Sequence, residues 1–309
     1  MMHKSVRIAL FTFLVSGLVI GSMDITNSGK SAAAQAQLAT NQRLMELMTQ
    51  MNVSLETNGA NYRVDKVEYL TLADAGEIGQ TVFFKDRGNK QIDAHFVPGD
   101  PRRGGRTYIT YIVDQAEGAI DGLTVAQTTA AIDRAMSTWN NVQCSKIPIT
   151  KIPDMPGQDI GVIEFLLGQV GGPFFLADIT HAGWLPADVL PNGVIAATFT
   201  FIFNDPATRQ PSDIDNNGKM DVAFREILYN DFHTWGINGK IDVETVALHE
   251  SGHGLSQDHF GMAFITGPNG KLHFAPLAVM NAAYAGVQQG ISATDNGGHC
   301  SVWSKWPNN

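Results

Sequence analysis

The chain has 309 residues, of which 44% are hydrophobic and 17% are charged, and its formal net charge is -9. This length and apolar content allow a full core, which excludes an intrinsically disordered protein and predicts one domain with an accessory segment. The acidic balance argues against nucleic acid as a partner, because no basic patch is present to neutralise phosphates.

Residues 1–36 have the three parts of a secretory signal peptide. Lys4 and Arg7 precede an apolar run over 8–20, and the segment ends in Ala34-Gln35-Ala36. About thirteen apolar residues are too few for an ordinary membrane span, whereas this order of parts is typical of a signal peptide. We therefore expect a secreted protein with no stable membrane span after processing. The alternative is an uncleaved N-terminal anchor, or cleavage nearer Ser22.

Residues 37–105 are predicted to form a small separate unit. Its expected elements are a helix over 37–55 and strands over 64–72, 80–84 and 91–97, the last preceded by a turn at 88–89. The stretch 98–105 is rich in Gly, Pro and Arg, and it marks the boundary to the rest of the chain.

Residues 106–309 are predicted to form the main domain, of class α+β, with helices packed on a mixed sheet. Its expected elements are strands at 108–113, 147–152, 160–167, 194–203 and 226–229, helices at 124–140 and from 242 to just past 253, and a last short helix beginning at Thr294.

Residues 213–221 have oxygen-bearing side chains at alternate positions, and Gly218 stands where a calcium loop bends. The candidate ligands are Asp213, Asp215, Asn217 and Asp221. Phe224 falls where an EF-hand needs its bidentate glutamate, which excludes a complete EF-hand. A simpler calcium loop and a solvated turn are equal alternatives here.

The stretch His249-Glu250-Ser251-Gly252-His253 lies in the predicted helix that begins near Asp242. Two histidines four residues apart in a helix lie on one face about a turn apart, so both imidazoles can bind one ion. This spacing predicts a zinc site. Glu250 is rotated away from the histidines but is well placed to address a water at the metal, which predicts a general base and not a ligand.

A catalytic zinc usually has three protein ligands and one open position. His259 is the expected third ligand, because the polar run that follows His253 predicts that the helix ends and the chain turns back. No glutamate occurs after Glu250, so Asp258 and Asp295 are the remaining acidic alternatives.

This pattern resembles the metzincin metallopeptidases, most closely the matrixin branch, whose motif is H-E-x-x-H-x-x-G-x-x-H followed by a methionine turn. The residues at 246–248 and Asp258 are also similar to matrixins. Ser256 departs from the family, which has a glycine at that turn. If the residue adopts a positive φ, serine costs about 1 kcal/mol more than glycine.

The resemblance implies a mixed, mainly parallel twisted sheet with an active-site helix and a smaller C-terminal subdomain. It also implies that Met280 lies beneath the metal and that Tyr284 lines the substrate pocket, with Ala282 in place of the usual proline. An extended substrate would pair with an edge strand beside the cleft, which we assign to 194–203.

The implied function is that of a secreted, monomeric, zinc-dependent endopeptidase that acts on protein or peptide substrates, with Glu250 as general base. Zn²⁺ is the expected cofactor, joined by Ca²⁺ if the loop at 213–221 binds it. The alternative is a catalytically silent zinc-binding or adhesion protein on the same fold. The intact Glu250 favours the enzyme.

In a secreted peptidase, residues 37–105 would be either a prosegment that blocks the cleft or an ordinary accessory domain. Matrixin prosegments block the zinc with the cysteine of a P-R-C-G motif. Arg103 stands in that place in Pro101-Arg102-Arg103-Gly104. Arginine cannot bind zinc, which excludes latency by that route.

The chain has two cysteines, Cys144 and Cys300. In an oxidising compartment they are expected to form one disulfide that ties the end of an early helix to the C-terminal segment. The alternative is a pair of buried thiols.

Overall fold

The structure is a computed structural model that describes residues 25–73, 77–85, 93–186, 189–266 and 271–308. The apolar run of the predicted signal peptide, at 8–20, and the predicted turn at 88–89 lie outside these residues. Among the described residues, no helix combines the length and apolar character that a membrane span requires.

The described residues form five helices and thirteen strands. The helices are α1 (Ile25–Thr57), α2 (Val125–Asn140), α3 (Val162–Leu166), α4 (Val243–Gly254) and α5 (Ala293–Trp303). The first eight strands are β1 (Tyr62–Leu72), β2 (Thr81–Phe83), β3 (Ala94–His95), β4 (Ile109–Val113), β5 (Ile149–Lys151), β6 (Ile179–Leu185), β7 (Val194–Phe203) and β8 (Met220–Asn230). The others are β9 (Trp235–Gly236), β10 (Ile241–Asp242), β11 (Met262–Ile265), β12 (Leu272–Ala275) and β13 (Ala283–Tyr284).

The main sheet has nine strands in the order β13-β1-β7-β8-β6-β4-β5, with β2 beside β1 and β3 beside β8. Strands β5, β4, β6 and β8 run parallel to their neighbours in that series. Strand β7 runs antiparallel to both β8 and β1, and β13 runs parallel to β1. The fold is therefore a mixed, mainly parallel sheet covered by helices, compatible with the predicted α+β class.

Each face of the sheet carries an apolar core. One face packs against α2 and α4, where the indole of Trp139 donates to the carbonyl of Leu248 across 2.8 Å. The other face packs against α1, whose Leu44, Met48 and Met51 are fully buried. Because α4 lies directly on the sheet, the side chains of its histidines are held on a rigid element.

The predicted strand at 160–167 is wrong, because part of it forms the short helix α3. The amides of Val162 and Ile163, in its first turn, donate to the carboxylate of Glu226 on β8 across 2.9 and 2.8 Å. A carboxylate at a helix N-terminus satisfies N–H groups that have no partner within the helix. An apolar run of this length fits a strand and a buried helix equally well, so the distant Glu226 contributes to the outcome.

The predicted edge position of 194–203 is also wrong. The strand forms as β7, but it pairs with β8 on one side and with β1 on the other. Strands β1 and β3 come from residues 37–105 and pair with β7 and β8 respectively. The predicted N-terminal unit therefore shares its sheet and one apolar core with residues 106–309.

The predicted disulfide is confirmed. Cys144, just after α2, is bonded to Cys300 on α5, and their Cα atoms are 5.5 Å apart. A disulfide between distant residues restricts the unfolded chain. This bond fastens the C-terminal helix to the face of the sheet that carries α4.

Candidate metal centre

The start of helix α4 is fixed by its N-cap residue, Asp242. Asp242 accepts a hydrogen bond from the amide of Thr245 across 2.9 Å, at the place where the helix is predicted to begin. The helix is buried along its whole length and ends at Gly254, just past His253. This end lets the chain turn back and bring His259 to the face that carries the first two histidines.

His249, His253 and His259 converge, with each pair of Nε2 atoms 3.1 Å apart. The Nδ1 atoms of His249 and His253 lie 2.7 Å from the carbonyl oxygens of Val279 and Gln257. Carbonyl oxygens only accept hydrogen bonds, so both Nδ1 atoms carry the proton and both Nε2 atoms carry a lone pair. These two Nε2 atoms therefore cannot donate to each other.

Two converging lone pairs that cannot donate to each other, with the Nε2 atom of His259 3.1 Å from both, fit a bound cation. Zinc binds histidine nitrogen at about 2.0–2.1 Å, so two nitrogens at a tetrahedral zinc are about 3.4 Å apart. The separations of 3.1 Å are close to that value. Burial lowers the pKa of His249 and of His253 to about 3, and lowers that of His259 well below its usual value. All three are neutral, as metal ligands must be.

The acidic alternatives do not join this cluster. Asp258 lies 3.3 Å from the ammonium of Lys66. The carboxylate of Asp295 accepts hydrogen bonds from the amides of Val279 and Met280, across 3.0 and 3.1 Å. Among the described residues, the group able to bind a metal at this place consists of the three histidines.

Glu250 is fully buried beside the cluster. Its Oε2 accepts a hydrogen bond of 2.6 Å from the hydroxyl of Thr198 on β7, while its Oε1 has no partner among the described residues. Burial raises the pKa of Glu250 well above its usual value; the nearby Glu68 adds to this, and the hydrogen bond from Thr198 opposes it. One carboxylate oxygen is thus fixed and the other is free to take a proton.

Met280 and Tyr284 lie on the chain segment that passes below α4. Met280 is fully buried, and a Cβ placed on Gly252 would lie 2.3 Å from its sulfur, so the thioether packs against the helix backbone between the two histidine turns. Tyr284 lines a pocket next to His249, and its hydroxyl accepts a hydrogen bond from the amide of Asp242 across 3.0 Å.

Ser256 adopts a φ of +64°, the left-handed conformation that glycine takes without strain. Its hydroxyl accepts a hydrogen bond of 2.9 Å from the buried guanidinium of Arg225 and lies 3.3 Å from Nδ1 of His95. Arg225 also donates to the carbonyl of Gly254 across 2.9 Å. Serine at this turn therefore offsets its backbone strain by fastening the end of α4 to β8.

We expect Ser256→Gly to destabilise the protein by about 0.5–2 kcal/mol. Relief of strain gains about 1 kcal/mol, whereas loss of a hydrogen bond from a charged donor costs about 1.5–3 kcal/mol. Urea denaturation measures the difference. Ser256→Ala is the matched control, because it loses the hydroxyl but keeps the strain, and it should be less stable than the glycine variant. A glycine variant more stable than the wild type would show that strain dominates at this turn.

The predicted calcium ligands are partly brought together. Carboxylate oxygens of Asp213, Asp215 and Asp221 lie within 4.8 Å of one another. Asp221 is already paired with Arg102, 2.6 Å away, and the side-chain oxygen of Asn217 accepts from the amide of Lys219 across 2.8 Å. Calcium binding at this loop stays a prediction.

A second acidic group was not predicted. Carboxylate oxygens of Glu117, Asp159 and Glu164 lie within 4.8 Å of one another. Burial, with Asp159 adding to it, raises the pKa of Glu164 to about 9. Glu117 lies more than forty residues before Asp159 and Glu164 in the chain, so no local spacing in the sequence indicates the group.

Sequence reasoning also missed the residues that β1 brings to the histidines. Lys66 and Glu68 are buried, with Lys66 3.1 Å from Glu68 and Glu68 3.4 Å from Nδ1 of His253. Leu70 is 2% exposed and lines the pocket with His249 and Tyr284. Only the pairing of β1 with β7 places these side chains here, and that pairing has no local sequence signal.

No model of a known protein family matches this chain, and no curated protein matches it either. The functional assignment therefore depends on the motif and on the geometry of the residues described above.

Proposed function

We propose that this chain is a secreted zinc-dependent endopeptidase of the metzincin type, similar to the matrixins. The observation that carries the proposal is the convergence of three Nε2 atoms, 3.1 Å apart, beside the buried carboxylate of Glu250. Three neutral nitrogen ligands with a free carboxylate nearby are the arrangement of a catalytic zinc, since a structural zinc usually has four protein ligands.

The surroundings support the proposal. The helix α4 packs on one face of a mixed, mainly parallel sheet, and the residues after it form the hairpin β11–β12, the strand β13 and the helix α5. This arrangement is compatible with the smaller C-terminal subdomain that the resemblance implies. The disulfide between Cys144 and Cys300 is consistent with an oxidising compartment and hence with secretion.

The chemistry divides between the metal and the protein. Zinc held by His249, His253 and His259 would supply Lewis acidity, which polarises a water and the scissile carbonyl. Glu250 takes the proton of the water on its free Oε1 and then gives it to the leaving amine. Thr198 holds the other oxygen of Glu250, so the carboxylate keeps its orientation through both transfers.

Hydrogen bonds to backbone groups keep the histidine ligands in place. The carbonyl of Val279 fixes the imidazole of His249, and the carbonyl of Gln257 fixes that of His253. Asp295 in turn fixes the turn that contains Val279 by accepting from its amide. The partner is a protein or peptide substrate, and the enzyme is expected to act as a monomer.

The experiment that tests this proposal is cleavage of a broad quenched-fluorescent peptide library by the zinc-loaded chain, with and without a chelator. A silent zinc-binding protein on the same fold would bind the metal and cleave none of the peptides.

A further inference from the structure

The strand β1 fills a gap between two walls of the histidine site. On one side it pairs antiparallel with β7 over nine register positions, from Tyr62 opposite Phe203 to Thr71 opposite Val194. On the other side its end pairs parallel with β13, with Thr71 opposite Ala283. Over residues 66–68 the neighbour on that side is β2. Neighbouring strands lie about 4.8 Å apart, so at Thr71, where β1 lies between β7 and β13, these two walls are about 10 Å apart. That width takes one extended chain.

Alternate side chains of β1 face the histidine cluster. Leu70 enters the pocket next to His249, Glu68 lies 3.4 Å from Nδ1 of His253, and Lys66 lies 3.3 Å from Asp258, which precedes the third histidine. The intervening side chains, Val67 and Tyr69, face the core under α1. The strand therefore runs along the whole cluster.

The polar residues of β1 suit a cleft better than a core. Lys66 and Glu68 are 5% and 1% exposed, and the ammonium of Lys66 lies 3.1 Å from Oε1 of Glu68. Burial of charged groups is costly, and a strand with a purely structural role is expected to carry apolar residues at such positions. In an open cleft, the same groups would be in contact with water.

We infer that β1 is an internal occupant of the peptide groove, lying where an extended substrate would pair with β7 and β13, so that the chain holds its own zinc site closed until β1 leaves. This inference rests on the proposed function. It selects the blocking segment over the ordinary accessory domain for residues 37–105, by strand pairing and not by a zinc-binding cysteine.

The helix α1 is hydrogen-bonded to the strand β1. The side chain of Asn52 donates to the carbonyl of Val64 across 2.9 Å and accepts from its amide across 2.8 Å. The hydroxyl of Tyr69 donates to Asn41 across 2.7 Å. These bonds join α1 to β1, and β2 pairs with β1 over residues 66–68, so opening the groove means displacing α1, β1 and β2 together.

The first arm of the test loosens β1 in the full, zinc-loaded chain. Leu70→Asp places a charge in the apolar pocket and should raise peptide turnover at least tenfold. Leu38→Asp is the matched control, because the same change at a 68% exposed position on α1 should leave turnover unchanged. Leu70→Ala removes the pocket contact without adding a charge and should shift turnover in the same direction, which covers the case in which the aspartate variant does not fold.

The second arm locks β1 in place. Val67 lies directly opposite Phe199, and both face the core away from the histidines, so Val67→Cys with Phe199→Cys can form a cross-strand disulfide. Added to Leu70→Asp, the oxidised crosslink should remove the gain in turnover, and reduction should restore it. The Leu70→Asp variant alone is reduced in parallel, because reduction also opens the bond between Cys144 and Cys300.

A third arm is independent of catalysis. A labelled peptide with the sequence of residues 62–72 should bind Leu70→Asp combined with Glu250→Gln, measured by fluorescence anisotropy, and should not bind the wild type. If the double variant binds the peptide but no variant cleaves any substrate, the peptidase proposal is rejected and the inference that β1 occupies the groove stands. If the oxidised and reduced crosslinked forms cleave equally well, the inference that β1 occupies the groove is overturned and the peptidase proposal stands. No gain from either Leu70 variant, together with no peptide binding, would also overturn it.

Discussion

Replacing Glu250 with glutamine should lower peptide turnover by about 10²–10⁴-fold while the zinc stays bound. Glutamine keeps the size of the side chain and an oxygen that can accept from Thr198, so the fold and the histidine cluster should survive. It loses the oxygen that accepts the proton of the water. General-base catalysis is typically worth a factor of this size, which corresponds to about 3–5 kcal/mol of barrier.

The measurement compares turnover and zinc content in the same preparation, in the wild-type background and together with Leu70→Asp. In the Leu70→Asp background the groove is expected to be open, so low turnover there reports the loss of the general base and not a groove blocked by β1. Aspartate at position 250 is a useful companion, since Glu250→Asp keeps the carboxylate but shortens its reach. Equal cleavage by the wild type and Glu250→Gln would assign the activity to another site or to a contaminant.

Replacing His253 with alanine should remove zinc and activity together. His253 lies between the other two ligands in sequence, and its Nε2 is 3.1 Å from each of theirs. Two histidines would be left for an ion that takes three protein ligands in catalytic sites. Loss of a hydrogen-bond partner of a ligand alone costs about 10–100-fold in metal affinity, so loss of a ligand should cost more than about 100-fold.

Metal analysis after dialysis measures this loss. His273→Ala is the matched control, because His273 is exposed and lies outside the cluster, so its removal should leave zinc and turnover unchanged. Stoichiometric zinc retained by His253→Ala would reject the ligand assignment.

The parts of the fold that follow local chemistry are predictable from the sequence. Thr124 and Gln127 form the capping box of α2, and Asp242 caps α4, where the predicted helices begin. Strand β1 mixes apolar and polar residues and strand β7 is mostly apolar, and both appear within two residues of their predicted bounds. The spacing of His249 and His253 places both on one face of α4 because the period of a helix requires it.

The parts that depend on distant contacts are not predictable in this way. The first amides of α3 donate to Glu226, which lies on β8, so the sequence of α3 alone resembles a strand. Strand β6 was missed because buried polar residues interrupt its apolar pattern, among them His181, whose Nδ1 lies 2.8 Å from the hydroxyl of Tyr229. The partners of Glu226 and of His181 are both remote in the chain.

The residues of the site are likewise partly predictable from local sequence and partly dependent on distant contacts. The motif indicates the three histidines and Glu250, whereas Thr198 and the residues of β1 reach the site through sheet pairing. Ser256 shows the limit most clearly. The sequence predicts strain at this position, but the hydrogen bond from Arg225 that offsets the strain comes from another strand.

The most direct test of the central claim is peptide cleavage by the Leu70→Asp chain before chelation, after removal of the metal, and after zinc is returned. The account predicts that cleavage stops when the metal is removed and recovers in proportion to the zinc bound, up to about one ion per chain. Cleavage that continues at the same rate in the metal-free protein would contradict it.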